Sequence, residues 1–188
     1  MPPKVKITKQ EIVAATLDLL RREGESAMNA RSIASALGCS TQPIFSNFAS
    51  IEELQYAVLD TAYEFYHGFL MREAASGAYP PYKAYGMAYI RFAREEKQLF
   101  KALFMCDRKG QPFIPSPDFS ASVDIIMKYQ GIGREQAELW HMEMWSVVHG
   151  IGTMLATSFL DLDEQMISRM ISDIYQGLQT RHTQEVDT

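Results

Sequence analysis

The chain is poor in most of what marks a catalytic, metal-bound or membrane protein. Only two cysteines occur in 188 residues, Cys39 and Cys106. With no CxxC and no zinc-type spacing, they imply neither a disulfide framework nor a zinc site. Both are expected to be small buried side chains in a reducing cytoplasm. Gly-x-Ser-x-Gly, a phosphate-binding glycine loop and His-Glu-x-x-His are all missing, so nothing supports a hydrolase, and no cofactor is expected. The opening Met-Pro-Pro-Lys-Val-Lys lacks the apolar segment of a signal peptide. The uncharged run toward the C-terminus, Trp145 to Leu160, contains His149, Gly150 and Gly152. It falls short of the roughly 20 apolar residues that span a bilayer. A buried bundle helix accounts for it, and no membrane partner is expected.

Positive charge is scarce too, the net charge being −5. It is unevenly spread. Residues 1–50 carry six Lys/Arg against four Asp/Glu, and residues 51–188 carry twelve against nineteen. A mildly basic head on an acidic body is the direction a nucleic-acid binder requires, although so small an excess needs two copies acting together.

What is present is helical periodicity. Residues 29–48 read as two short helices joined by a glycine turn. Ile33, Ala34 and Leu37 give the first an apolar stripe. Gly38 stands where a left-handed residue closes a helix. Ser40 is placed to cap the second helix, which turns Ile44, Phe45 and Phe48 inward and Thr41, Gln42, Ser46 and Asn47 outward. Alanines at 30, 34 and 36 permit a close helix crossing. An outward row of uncharged hydrogen-bonding side chains fits a helix-turn-helix reader better than a plain core hairpin. Upstream, Thr8-Lys9-Gln10-Glu11 is a capping box opening a helix with Ile12, Ala15, Leu19 and Leu20 buried, and Gly24 stops it. Downstream, Ser50-Ile51-Glu52-Glu53 is a second box opening a long helix.

This order, with Glu23-Gly24, Asn29-x-Arg31-x-Ile33-Ala34, Gly38-Cys39-Ser40 and Ile44-Phe45-x-x-Phe48-x-Ser50-x-Glu52-Glu53-Leu54, resembles the N-terminal domain of the tetracycline-repressor (TetR) family of bacterial transcriptional regulators. The resemblance covers residues 6 to about 60. It implies an all-α protein: a three-helix DNA-binding domain at residues 1–50, a larger helical effector-binding and dimerisation domain at 51–181, and a polar tail at 182–188. That family usually has tyrosine at Phe45 and lysine at Ile51, both touching phosphates, so backbone anchoring here is weaker or moved elsewhere.

On this reading Gln42 bonds an adenine edge, Thr41 or Pro43 touches a thymine methyl, and Ser46 and Asn47 meet phosphate or a neighbouring base. Ser40 and Phe45 belong to the same surface. Asn29 and Ala30 begin the first reader helix and hold a phosphate with Arg31 nearby. Lys4, Lys6 and Lys9 form a basic arm.

Beyond the break at Gly77-Ala78-Tyr79-Pro80-Pro81, the spacing predicts helices over 82–94, 97–106, 119–129, 134–160 and 163–180, the last capped by Asp161 or Asp163. Gly110, Pro112, Pro115 and Pro117 mark the longest loop. The last two helices are apolar over wide arcs and call for cover by a second copy. Val148, Ile151, Leu155, Met166, Met170 and Ile174 are the expected dimer residues, which agrees with how the family commonly pairs. Trp145-x-x-x-His149-Gly150 also resembles a signature of some C-terminal domains in that family. An effector pocket is expected among Tyr63, Tyr66, Met87, Ile90, Phe100, Phe104, Met105, Trp140, Met144, Trp145 and His149, for a small apolar or aromatic molecule.

The function expected is a cytoplasmic homodimeric regulator, a repressor by family habit, released from a palindromic operator by that effector. The rival is a helical dimer holding a ligand or a di-metal centre and lacking DNA affinity. Glu64-x-x-His67 and Glu138-x-x-His141 have the spacing of di-iron bundles, although chance matches on charged helix faces explain them more simply.

Overall fold

The computed structural model describes residues 7–107 and 117–186. Among the described residues the chain is all-α: nine α-helices, one 3-10 turn at Glu25–Ala27 and no strand. None of these helices is long and apolar enough to cross a membrane.

The first helix, α1 (Lys9–Glu23), opens on the expected capping box. The Thr8 hydroxyl oxygen accepts from the Glu11 amide at 3.2 Å, and the Glu11 carboxylate accepts the Thr8 amide at 2.8 Å. That backbone bond, with the Thr8 hydroxyl, holds the Glu11 carboxyl below its ordinary pKa. The buried face is Ile12, Thr16, Leu19 and Leu20. Thr16 takes the place expected of Ala15, because its hydroxyl is satisfied by the Ile12 carbonyl at 2.7 Å. Gly24 ends the helix at φ +86 and ψ −176, and a Cβ there would lie 3.0 Å from Gln98 Oε1. Only glycine suits both demands.

Two short helices follow, α2 (Ala30–Ala36) and α3 (Gln42–Asn47), then the long α4 (Ile51–Ala74). The second capping box forms only in part. Ser50 Oγ accepts the Glu53 amide at 3.2 Å, but the Glu53 carboxylate accepts the Ala49 amide at 2.6 Å, not that of Ser50. The remaining helices are α5 (Pro81–Glu95), α6 (Lys97–Phe104), α7 (Pro117–Gln130), α8 (Arg134–Ala156) and α9 (Glu164–Val186). Helix α8 stops short of the expected Leu160, where Ser158 takes φ +57 and the Phe159 amide turns back to the Met154 carbonyl. Asp163 caps α9 by accepting the Met166 amide at 2.7 Å, and the helix runs past Thr180 to Val186. Most of the loop expected over residues 107–117 lies outside the described residues, and Pro117, expected in it, instead opens α7.

The chain divides into two compact units. One comprises residues up to Gly68 with Glu96–Cys106, and the other Phe69–Glu95 with Asp107 onward. In the first, α1 packs on α2, α3 and α6 over a core of Ile12, Leu20, Ile33, Ile44, Leu54, Leu99 and Phe100. Arg21 clasps the Glu96 carboxylate with two nitrogens and lies over the Phe65 ring at 4.9 Å. Neither cysteine is buried as expected: Cys39 is half-buried and Cys106 exposed.

In the second unit α8 is the central element, packed by α5, α7 and α9. Trp140, Met144, Val148, Ile151 and Leu155 form its buried line, and Met87, Ile90 and Phe92 of α5 are buried in the same unit. Polar pins cross this apolar seam. The hydroxyls of Tyr82 and Tyr89, two turns apart on α5, each meet a histidine Nδ1 on α8, His141 and His149, at 2.9 Å. Arg181 of α9 holds Glu143 of α8 through two bonds of 2.9 Å. Satisfied pairs of this kind fix register in a seam that apolar packing alone leaves free to slide.

Candidate nucleic-acid interface

The turn between α2 and α3 is closed locally. Asn29 caps α2, its Oδ1 accepting the Ser32 amide at 3.1 Å while its Nδ2 donates to the Ser26 carbonyl at 3.1 Å. At the other end the Gly38 amide bonds the Ser35 carbonyl and the Cys39 amide bonds the Ala34 carbonyl, at 3.1 and 3.0 Å. This is a Schellman ending, and it needs the left-handed φ of +62 found at Gly38. The expectation at Gly38 is met.

The start of α3 differs from expectation. Thr41, not Ser40, is the N-cap, and its side chain makes no capping bond. Pro43, locked near helical φ and lacking an amide hydrogen, starts the helix in place of a side-chain cap. Ser40 is exposed, and its carbonyl accepts the Cys39 thiol at 3.1 Å.

The orientation of Phe45 is a second correction. Ile44 and Phe48, one turn apart, are both buried, whereas Phe45 is 52% exposed. It follows Ile44 by a single residue, hence by about 100° around the helix, which carries it off the buried face. Ile44 and the C-cap residue Phe48 lie at the centre of the buried side, and Phe45 falls at its exposed edge.

The outward polar row is narrower than the sequence suggests. The Asn47 Nδ2 donates to the Pro43 carbonyl at 2.8 Å and the Ile7 carbonyl at 3.4 Å. The Ser46 hydroxyl donates to the Gln42 carbonyl at 2.9 Å. Thr41 and Pro43 are half-buried. Gln42 alone presents an exposed amide with no partner among the described residues. On α3 the outward surface therefore reduces to the Gln42 amide and the Phe45 ring, with Ser46 beside them.

Charge is scarcer still. Lys9 sits 3.4 Å from Glu53 and 4.6 Å above the Phe48 ring, so it fastens α1 to α4 and is not a free arm. Arg21 is held by Glu96, and Arg22 lies 3.8 Å from Glu23. Arg31 is exposed and makes no ion pair among the described residues, beside the half-buried Ala30 and the exposed Asn29. Lys4 and Lys6 lie outside the described residues. The sequence alone did not show the Lys9–Glu53 pair, because it joins side chains far apart in the chain.

The residues expected to line an effector pocket divide between the units. Tyr63 and Tyr66 of α4 join Phe100 and Phe104 of α6 in an aromatic cluster, with Tyr66 edge-on to Phe104 at 5.0 Å; Met105, next in the chain, is exposed. Met87, Ile90, Trp140 and Met144 are buried in the other unit. There Trp145 stacks flat on His149 at 4.7 Å, and burial lowers the imidazole pKa.

Of the expected dimer residues, Val148, Ile151 and Leu155 are covered by their own chain, Met170 and Ile174 are half-buried, and Met166 is exposed. Exposed instead on α8 are Leu139, Met142 and Trp145, followed by Phe159 and Leu160 in the loop. An apolar arc as wide as that of α8 does not by itself tell these residues from the buried ones. Separating the arc of Ala137, Trp140, Met144 and Val148 from its opposite reveals them.

The Glu-x-x-His pairs divide likewise, Glu64 and His67 in one unit and Glu138 and His141 in the other. His141 is engaged by Tyr82 and the Phe119 ring, and Glu138 lies 3.7 Å from Arg134. Among the described residues no three His, Cys, Asp or Glu side chains converge as a metal site would require.

No family model matches the chain. It is similar to a protein of Mycobacterium tuberculosis (strain ATCC 25618 / H37Rv) named as an uncharacterized HTH-type transcriptional regulator. The two are 23% identical, over 95% of this chain and 84% of that protein.

Proposed function

We propose that this chain is a DNA-binding transcriptional regulator of the tetracycline-repressor kind, acting as a dimer and leaving a palindromic operator when a small apolar or aromatic effector binds. One observation carries the reading. A Schellman-closed α2–α3 turn presents the Gln42 amide and an exposed ring on a helix whose opposite side is buried. The similarity to a protein named for a helix-turn-helix supports it.

Two recognition helices one duplex turn apart, about 34 Å, read a palindrome. The exposed Leu139, Met142 and Trp145 of α8 and Met166 of α9, with half-buried Met170 and Ile174, offer apolar surface for pairing with a second copy. The aromatic clusters around Tyr66 and around His149 are the surfaces proposed for the effector. Whatever binds must favour the state whose heads are wrongly spaced for DNA, since equal affinity for both states releases nothing.

The test is a mobility-shift assay on the DNA flanking its own gene, with sedimentation of the free protein. A dimer that retards specific duplexes, less strongly as salt rises, supports the reading. A monomer, or no retardation at low salt, refutes it; a dimer of the latter kind favours a ligand-binding module without DNA affinity.

A further inference from the structure

We infer that Phe45 reads thymine: its ring packs on a C5-methyl group in the major groove, so that Gln42 and Phe45 together select neighbouring A·T pairs. The inference rests on the DNA-binding reading above and goes past it to the base content of the half-site.

Phe45 is half in water on α3, while Ile44 beside it and Phe48 just past the end of the helix are buried. It carries no polar atom, so it bonds neither a phosphate oxygen nor a base edge. Its neighbours on α3 offer no charge, and their polar groups are largely engaged, Ser46 with the Gln42 carbonyl and Asn47 with the Pro43 and Ile7 carbonyls. The base edges of the major groove display donors and acceptors and one apolar group, the thymine methyl. An exposed ring facing that groove therefore has one chemical match.

The spacing agrees. Gln42 and Phe45 are three residues apart, so they share one side of the helix about 4.5 Å apart along it, within reach of neighbouring pairs. Gln42 takes the N6 and N7 groups of an adenine, and Phe45 meets the methyl of an adjacent pair, on either strand. Thr41 and Pro43, the side chains first expected at a thymine, are half-buried and offer less surface.

The test selects duplexes from a randomised library with the wild-type protein, then replaces each thymine in turn by deoxyuridine, which loses the methyl and keeps the pairing. Binding is measured by fluorescence anisotropy at fixed salt for wild type and for Phe45→Ala, whose helicity is checked by circular dichroism. One replacement per half-site should weaken wild-type binding about fourfold, the worth of one buried methyl. Phe45→Ala should bind more weakly and be indifferent to that same replacement. The inference is overturned if wild type tolerates every replacement, or if Phe45→Ala keeps the full sensitivity, as it would were the ring against a sugar. Failure to select any duplex overturns the DNA-binding reading itself and this assignment with it.

Discussion

His141 makes the stability of the second unit depend on pH in a way that can be worked out in advance. Its Nδ1 lies 2.9 Å from the Tyr82 hydroxyl, the Phe119 ring stands edge-on at 4.7 Å, and burial pushes its pKa from 6.5 down to about 4. Burial also raises the Tyr82 phenol, so the hydroxyl stays protonated and can donate to the neutral imidazole. A folded-state pKa below the unfolded one means the unfolded chain takes up the proton first. Stability is then complete above about pH 6.5 and is lost as pH falls toward 4. At pH 5 the imidazole is protonated in the unfolded chain and neutral in the native one. About 1.5 pH units at about 1.4 kcal/mol each give a loss of about 2 kcal/mol between pH 7 and pH 5. The assay is urea unfolding at both pH values, for wild type and for His141→Asn, whose Oδ1 stands where Nδ1 stood and still accepts from Tyr82. The variant is less stable throughout, having lost the ring contacts. Its drop between the two pH values should be smaller by about 2 kcal/mol. His149 shifts in the same direction but is common to both proteins. Glu11 and Glu53, lowered by their amide bonds, stay charged above pH 5. An equal drop in wild type and variant would refute the reasoning.

Three further outcomes follow from the first unit. Gln42→Ala should flatten discrimination among operator sequences while dimerisation and helicity persist, and unchanged preference in a selection experiment removes Gln42 from the readout. Gly24→Ala forces a side chain into a glycine-only conformation and toward Gln98, so thermal unfolding should show a loss of about 1–3 kcal/mol; a loss below about 0.5 kcal/mol contradicts the conformation described. Asn29→Ala removes the α2 cap and should cost about 1 kcal/mol, with faster amide exchange at Ser32, whereas Asn29→Ser should restore most of it.

What could be read in the sequence was what is decided locally. The Thr8–Glu11 box, the Gly24 stop and the left-handed Gly38 depend on residues within one turn of one another, and the structure has all three. Helix starts and stops blurred where no single residue dictates them. Ser40 and Thr41 both suit a cap, and Pro43 made a side-chain cap unnecessary. In a six-residue helix apolar composition does not say which of two adjacent residues, Ile44 or Phe45, turns inward. The capture of Asn47 by the Ile7 carbonyl, of Lys9 by Glu53 and of Arg21 by Glu96 joins groups distant in sequence, and nothing in local pattern announces them. Each gives a protein partner to a side chain that a sequence reading leaves available to a ligand.

Those captures bound how the first unit holds a polyanion. Among residues 7–50, Lys9, Arg21 and Arg22 already have carboxylate partners, so Arg31 is the cation left unpaired. With Lys4 and Lys6, each chain offers about three charges to phosphates and the proposed dimer about six, for a salt slope of log K on log[salt] of about −5.4 at most. Removing both lysines, as Lys4→Ala with Lys6→Ala, takes four charges from a dimer and should flatten the slope by about 3.6. Titrating an operator duplex between 50 and 200 mM salt measures both numbers. An unchanged slope in the double variant means these lysines never reach DNA, and a wild-type slope near −8 means that paired cations such as Lys9 leave their carboxylates on binding. Either result defeats the argument, since it assumes that the pairs within the protein persist and that specificity falls to a neutral amide and an apolar ring.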